Sequence, residues 1–369
     1  MSIFFFAGMI CSCTLACLIG LQTFLIGGEV SEITAKKAAR VTILDVADRA
    51  NVSKSLVSLV MRGAPNVSAE RRAAVLRAAA ELGYRPNELA RGLVRGRTHT
   101  IGVLLSDPHN PYFPETVDGI QEEADSFRYR ALLATGYRDP QREAQAVQDI
   151  LERQMDGIIL LSPQFSTREI SYVASSTPTV LVGRRTREPS LDSVVNDDYA
   201  GAVLAVEHLA GLGHRRIAHI TGGSYAGSGM RRRGYERTMR RLGLERHVEI
   251  AAGEFTDEGG YLGAQRLLSE GEHPTAIFAA NDLAAMGVLT AIREAGLSVP
   301  DDISLVGYDN SYLAQLSSVS LTSIDQPRHE MGILAARFLL ERIESERTEP
   351  RREVLKPKLI PRSTSAPPR

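Results

Sequence analysis

Apolar residues recur at helical spacing from Val41 onward. Ile43, Val46, Ala47 and Ala50 fall on one side of a helix opened by Thr42, whose hydroxyl is placed to accept from the exposed amide near Asp45. After a tight break at Asn51-Val52, Ser53 caps a second helix in which Leu56, Val57 and Val60 face inward. Lys54, Ser55, Ser58 and Leu59 are left near its outward N-terminal half. Ser68 caps a third helix running to Leu82, with Ala73, Leu76 and Ala80 on one face and Gly83 as its stop. Pro86 forbids helix continuation through Arg85, and Asn87 can cap a short fourth helix over Glu88–Val94. The first two helices have helix-turn-helix geometry, in which N-terminal residues of the second helix reach base edges.

From Ile101 the pattern changes. Short apolar runs at Ile101–Leu105, Ala131–Ala134, Gly157–Leu161, Thr179–Val182, Ile217–Ile220, Ala276–Ala279 and Ile303–Val306 alternate with helical stretches such as Gln141–Gln154, Tyr199–Leu212 and Asp282–Ala295. Such alternation predicts a doubly wound parallel sheet. About 270 residues is generous for one such domain, so two lobes are expected. Ligands of open parallel sheets bind at the carboxyl ends of strands. Asp309 stands there in Gly307-Tyr308-Asp309, as does Asn281 after Ile277–Ala280, while Arg231 opens a helix after the Gly-rich run Thr221–Gly229.

Composition adds a division that the net charge of −1 conceals. Residues 36–97 carry about 13 Lys and Arg against about 5 Asp and Glu, whereas residues 98–369 carry about 30 against about 37. A small basic module on a larger acidic one suits a polyanion-binding head on a body that does not adhere to DNA.

Catalysis finds no positive support. Thr221–Gly229 looks like a phosphate cradle, yet no Lys-Ser or Lys-Thr pair follows at P-loop spacing. His214 and His219 flank a strand at odd separation, which puts them on opposite faces rather than on one metal. No nucleophile elbow is present, and no cofactor or metal is expected.

The segments Val41-Thr42-Ile43, Asp45-Val46-Ala47, Asn51-Val52-Ser53, Val57-Ser58 and Leu82-Gly83-Tyr84-Arg85-Pro86-Asn87 resemble LacI-family transcription regulators. The likeness continues through Ile101-Gly102-Val103 and Asn110-Pro111-Tyr112-Phe113 to the C-terminal part. It implies an all-α helix-turn-helix head at 41–84, a hinge at 85–97, and an α/β body at 98–369. That body is two-lobed and periplasmic-binding-protein-like, with doubly wound parallel sheets. The expected lobes are 98–193 with 326–352, and 194–325 with 353–369.

By the same resemblance, Lys54, Ser55 and Leu59 contact bases, and Thr42, Ser53, Ser58 and Asn87 contact phosphates, which fix register without reading sequence. The hinge folds on DNA with its dimer mate, and Leu93 enters the minor groove as an apolar wedge. Tyr112, Phe113, Arg231, Asn281, Asp309 and Gln326 line the effector cleft, and Phe165 lies near another pocket position. Three departures stand out. Leu59 replaces an arginine common among relatives, Gly92 weakens the hinge helix, and Gly229 replaces a basic residue of the pocket.

The expectation is a homodimeric regulator, a repressor of a near-palindromic double-stranded DNA operator, controlled by a small effector, a sugar before a purine. The rivals are an exported or a membrane-tethered sugar-binding protein. Residues 1–28 carry no charged side chain and are long enough to span a bilayer, with Lys36, Lys37 and Arg40 following. No Lys or Arg precedes the apolar run, which argues against a secretory signal. Because the resemblance begins only at Val41, a translation start between Val30 and Val41 is favoured over an anchor for the 1–35 extension. Cys11, Cys13 and Cys17 are the only cysteines, so the globular part has no disulfide framework, as expected in the cytoplasm.

Overall fold

The computed structural model describes residues 41–84, 97–269, 272–345 and 347–369. The 1–35 extension, Asn87, Gly92 and Leu93 lie outside the described residues. The chain divides into two compact units at Pro86/Asn87.

The first unit holds α1 (Ile43–Arg49), α2 (Lys54–Met61) and α3 (Ala69–Leu82). Thr42 and Asp45 close a capping box on α1, the carboxylate accepting from the Thr42 amide at 2.7 Å. Ser53 caps α2 and Ser68 caps α3, each accepting from the amide three residues on. Gly83 ends α3 at φ 64°, a left-handed conformation that costs glycine little. The core is Val46, Ala47, Val57, Val60, Val75, Ala78 and Ala79. This corrects the expected face of α3, because Leu76 is 49% exposed and Ala80 is exposed as well. Apolar residues lie on several sides of this alanine-rich helix, so spacing alone did not select the face that Val75 fills.

The second unit contains two six-stranded sheets of the same design. The first runs β2 (Arg130–Thr135), β1 (Thr100–Leu105), β3 (Gly157–Leu161), β4 (Thr179–Val182), β5 (Asp192–Asn196) and β11 (Arg352–Leu355). The second runs β7 (Glu249–Ala251), β6 (Ile217–Ile220), β8 (Ala276–Phe278), β9 (Ser304–Asp309), β10 (Thr322–Asp325) and β12 (Lys358–Ile360). Every pairing is parallel except β10 with β12. Each sheet is wound outward from its second strand in the order of a doubly wound fold, which leaves a switch point at the carboxyl ends.

In the first lobe the sheet is flanked by α4 (Phe113–Ser126), α5 (Pro140–Glu152), α6 (Thr167–Ser176) and α12 (Arg328–Ser345). In the second it is flanked by α7 (Asp198–Gly211), α8 (Ser228–Arg241), α9 (Asp257–Ser269) and α10 (Asp282–Glu294), with a short α11 (Tyr312–Gln315) after β9. Two glycines set the contact of α4 with α12. A Cβ on Gly119 would strike the His329 carbonyl, and one on Gly332 would strike that of Thr116. The β3 run Gly-Ile-Ile-Leu-Leu is buried throughout, as a central parallel strand requires.

The chain passes between lobes after Asn196, after Asp325 and after Leu355. The expected lobe limits at 193/194 and 352/353 therefore cut β5 and β11. Strand β5 escaped the apolar pattern because it carries Asp192, Ser193 and Asn196, yet it is wholly buried. Asp192 is satisfied there by paired contacts from Arg342 at 3.0 and 2.9 Å and Arg347 at 3.1 and 2.8 Å. Burial works against this carboxylate, but the hydrogen bonds from Arg342 and Arg347 hold its pKa below the ordinary aspartate value.

Candidate functional site

On α2 the inward residues are Val57 and Val60, while Lys54, Ser55 and Leu59 stand exposed on the opposite side. The first turn of α2 carries no acidic residue, whereas those of α1 and α3 carry Asp45 and Glu70. Its free amides and positive dipole end therefore remain available to an anion beside Lys54. Ser53 and Ser58 flank this surface, with the Ser58 carbonyl accepting from Arg62 Nε at 3.2 Å. Thr42 differs, because its hydroxyl donates to Asp45 at 2.8 Å and is already committed to the capping box.

The body holds a cleft of about 640 Å³, open to solvent, between the carboxyl ends of the two sheets. Tyr112, Phe113, Arg231, Asn281, Asp309 and Gln326, widely separated in sequence, all line it. Loops after β1, β3 and β4 add Ser106 with Asp107, Ser162 with Gln164, and Gly183, and β5 ends on Asn196. Sequence reasoning missed these, together with Arg138, Asp198, Tyr225 and Phe255. The rule that ligands sit past strand ends would have found Asn196 and Asp198 had β5 been recognised. Phe165 is instead core, buried in the first lobe with Ile158, Leu160 and Ile170, and its neighbour Gln164 faces the cleft.

Arg231, in the first turn of α8, is the hub. Its Nε donates to Asp198 Oδ1 at 2.9 Å and its terminal nitrogen donates to the Ala280 carbonyl at 2.6 Å. The guanidinium lies over the Tyr308 ring at 3.6 Å and is 3.9 Å from Asp309 Oδ1. Burial opposes its charge, but Asp198, Tyr308 and Asp309 outweigh burial and raise its pKa. Asp309 accepts from Gln326 Nε2 at 2.6 Å and has φ 101°, a conformation unfavourable for a residue with a side chain. Burial raises the Asp309 pKa, with Arg231 and Arg328 pulling the other way. Beneath it, burial also raises that of Asp282, which accepts from Ser323 Oγ and the Ser311 amide at 2.6 Å each.

Two buried amides in the lining keep a polar atom unpaired. Asn281 caps α10 through Oδ1, accepting from Ala284 at 2.8 Å, and its Nδ2 has no partner. Asn196 donates to the Tyr308 hydroxyl at 2.8 Å, and its Oδ1 has none. Phe113 packs edge-on to Tyr112 at 5.2 Å between ring centres. The arrangement offers fixed donors, acceptors and aromatic faces to a small polar molecule. Among the described residues no group of His, Cys, Asp and Glu could hold a metal ion.

Comparison with known proteins matches residues 42–87 to the lacI family of bacterial regulatory proteins and residues 206–365 to a periplasmic binding protein-like domain. The chain is 35% identical over 326 residues to the ribose operon repressor of Haemophilus influenzae, covering 88% of this chain and 98% of that one. It is 34% identical to catabolite control protein A of Priestia megaterium, covering 83% and 93%. Among solved structures, the lac repressor dimer bound to operator and the anti-inducer ONPF superposes with a TM-score of 0.79 at 30% identity, covering 88% and 99%. A LacI-family regulator from Enterococcus faecium with bound ribose gives 0.67 at 29%, covering 73% and 99%.

Proposed function

Because this chain belongs to the LacI family of bacterial regulatory proteins, we propose that it is a DNA-binding transcription repressor controlled by a small effector held between two lobes. The effector is a sugar before a purine. The observation that carries this reading is the union, in one chain, of an α2 that presents Lys54 at an acid-free N-terminus and a cleft fed by both sheets. The relatives are named as a ribose operon repressor, a catabolite control protein and a helix-turn-helix transcriptional repressor. An exported solute binder would have no use for the basic head. Function at an operator places the protein in the cytoplasm. Among the described residues no helix is long and apolar enough to cross a membrane.

Control requires that the ligand bind two lobe arrangements with different affinity. Residues that begin the body give that difference a route to the hinge. Arg97 donates to the Ile343 carbonyl at 2.9 Å and pairs with Glu344 at 2.8 Å, and Asp156 accepts from the Thr98 amide at 2.7 Å. Arg97 and Thr98 are thus clamped to the end of α12 and the residue before β3, both in the first lobe. Leu93 from each copy then enters the minor groove at the centre of a near-palindromic site. Lys54, Ser55 and Leu59 read bases, while Ser53, Ser58 and Asn87 hold phosphates; Thr42, whose amide and hydroxyl both donate to Asp45, serves the capping box instead.

A second copy is required, as in the dimeric lac repressor structure. Edge strand β2 exposes Leu132 and Leu133 at 47% and 53%, a feature that isolated proteins usually avoid and that a partner would cover. The test is a mobility-shift assay on duplexes selected from a random pool by the full chain. The native protein is expected to retain a sequence, and Leu93→Ala to bind it at least about tenfold more weakly with ligand affinity intact. Equal operator affinity sinks the hinge assignment, and failure to select any sequence sinks the regulator reading.

A further inference from the structure

Five charged side chains line the cleft: Arg138, Arg231, Asp107, Asp198 and Asp309. Both cations are engaged by the chain itself. Arg231 donates through Nε to Asp198 and through one terminal nitrogen to the Ala280 carbonyl, lies over the Tyr308 ring, and has its other terminal nitrogen 3.9 Å from Asp309 Oδ1. Arg138 crosses the mouth to Glu254 and the Tyr225 hydroxyl. In the lining the carboxylates outnumber the guanidinium groups by three to two and each guanidinium already faces a carboxylate, so an incoming anion finds no unpaired cation there.

Within the cleft, the glycine-rich loop that resembles an anion cradle is already filled. The Gly-rich loop before α8 ends at Gly227, the cap of that helix, which has φ 85° and no side-chain hydrogen bond at the N-terminus. A Cβ placed on Gly227 would meet the Asp198 carboxylate, so this anion of the chain itself lies against the helix end. A phosphate could take that place only by displacing Asp198 from Arg231.

The buried atoms of the lining left without a partner are neutral. Asn281 Nδ2 is a donor and Asn196 Oδ1 an acceptor, in residues 1% and 2% exposed. A hydroxyl both donates and accepts, and it can also donate to the carboxylates of Asp107 and Asp309. We propose that the effector is an uncharged polyhydroxy compound, and that the cleft rejects phosphorylated and carboxylated sugars by charge. This rests on the reading that the cleft binds a regulatory sugar, and it adds the charge state that such a sugar must have.

The test titrates the full-length protein with three families of probes, following Tm and then calorimetric affinity. They are D-ribose with ribose 5-phosphate and ribonate, D-glucose with glucose 6-phosphate and gluconate, and D-fructose with its 1- and 6-phosphates. One uncharged parent is expected to raise Tm, and its charged derivatives to bind at least about a hundredfold more weakly, since like charges brought together without water repel strongly. A phosphate or aldonate binding more tightly than its parent overturns the proposal while leaving a sugar-responsive regulator in place. Silence of all the uncharged sugars also overturns it, and a response to hypoxanthine or guanine alone removes the sugar reading itself. Asp198→Asn frees Arg231 and the α8 terminus, and Asp107→Asn removes a half-exposed charge without disturbing that pair. Each is expected to narrow the gap between parent and phosphate by about tenfold. An unchanged gap in both variants overturns the electrostatic explanation.

Discussion

The Arg138 guanidinium stacks over the Tyr225 ring at 4.7 Å, and its Nε donates to the Tyr225 hydroxyl at 2.9 Å, although the two residues belong to opposite lobes. Glu254, also from the second lobe, completes the contact. These bonds form a latch across the cleft and, joining one lobe to the other, require the lobes to be together. Arg138→Met is expected to weaken binding of an activating sugar by about tenfold, the worth of one charge-assisted hydrogen bond, with little change in ligand-free Tm. Calorimetry on both proteins checks this, and an unchanged affinity removes the latch from the closing motion.

Asp309→Ala is expected to abolish the effector response while operator affinity stays within about twofold. The carboxylate holds Gln326 and faces Arg231, so its loss frees one amide and unbalances one buried cation. Operator release measured against sugar concentration reports it. Normal release would dismiss Asp309 from the pocket.

Asp192 makes a claim about stability. It is wholly buried between Arg342 and Arg347, both mostly buried, so Asp192→Ala leaves two cations unpaired and is expected to cost about 3–5 kcal/mol. Its folded-state pKa lies below the ordinary aspartate value. The associated stability is therefore present above an ordinary aspartate pKa of about 4 and is lost as pH falls through the lower folded value. Denaturant melts of both proteins should converge in strong acid and separate above pH about 5.

That same residue explains why the sequence was legible only in part. Strands rich in Ile, Val and Leu, such as β3 and β4, stand out because both faces are buried. β5, β10, β11 and β12 carry Asp, Ser, Thr, Arg and Lys, and their burial or pairing depends on partners far along the chain, as Arg342 and Arg347 are for Asp192. The cleft divides in the same way. Arg231, Asn281 and Asp309 follow recognisable strands or a glycine-rich loop, whereas Asn196 and Asp198 lie beside a strand that the apolar pattern hides. The face of α3 was misread for the opposite reason, an excess of apolar positions.

Lys54→Ala is expected to weaken operator binding by about 1–3 kcal/mol and to relax the preference at a guanine, if its ammonium reads O6 and N7. Ser53→Ala should instead cost about 1 kcal/mol of stability through lost capping. Competition between the selected duplex and single-base variants distinguishes the two. A Lys54 variant that weakens all sequences equally would place this residue on phosphate.

Leu132→Lys together with Leu133→Glu is expected to leave a folded monomer, because both side chains are about half exposed on an edge strand and neither fills the core. Sedimentation velocity reads the mass directly. A variant that remains dimeric would move the subunit contact elsewhere.

The three crossings between lobes carry a consequence for how such a sensor can be altered. Neither lobe is a continuous piece of chain: β11 returns to the first sheet and β12 immediately to the second. A single recombination point would therefore join one half of a foreign lobe to one half of a native one. Exchange of ligand preference with a relative must transplant separated segments together or proceed residue by residue along the strand ends.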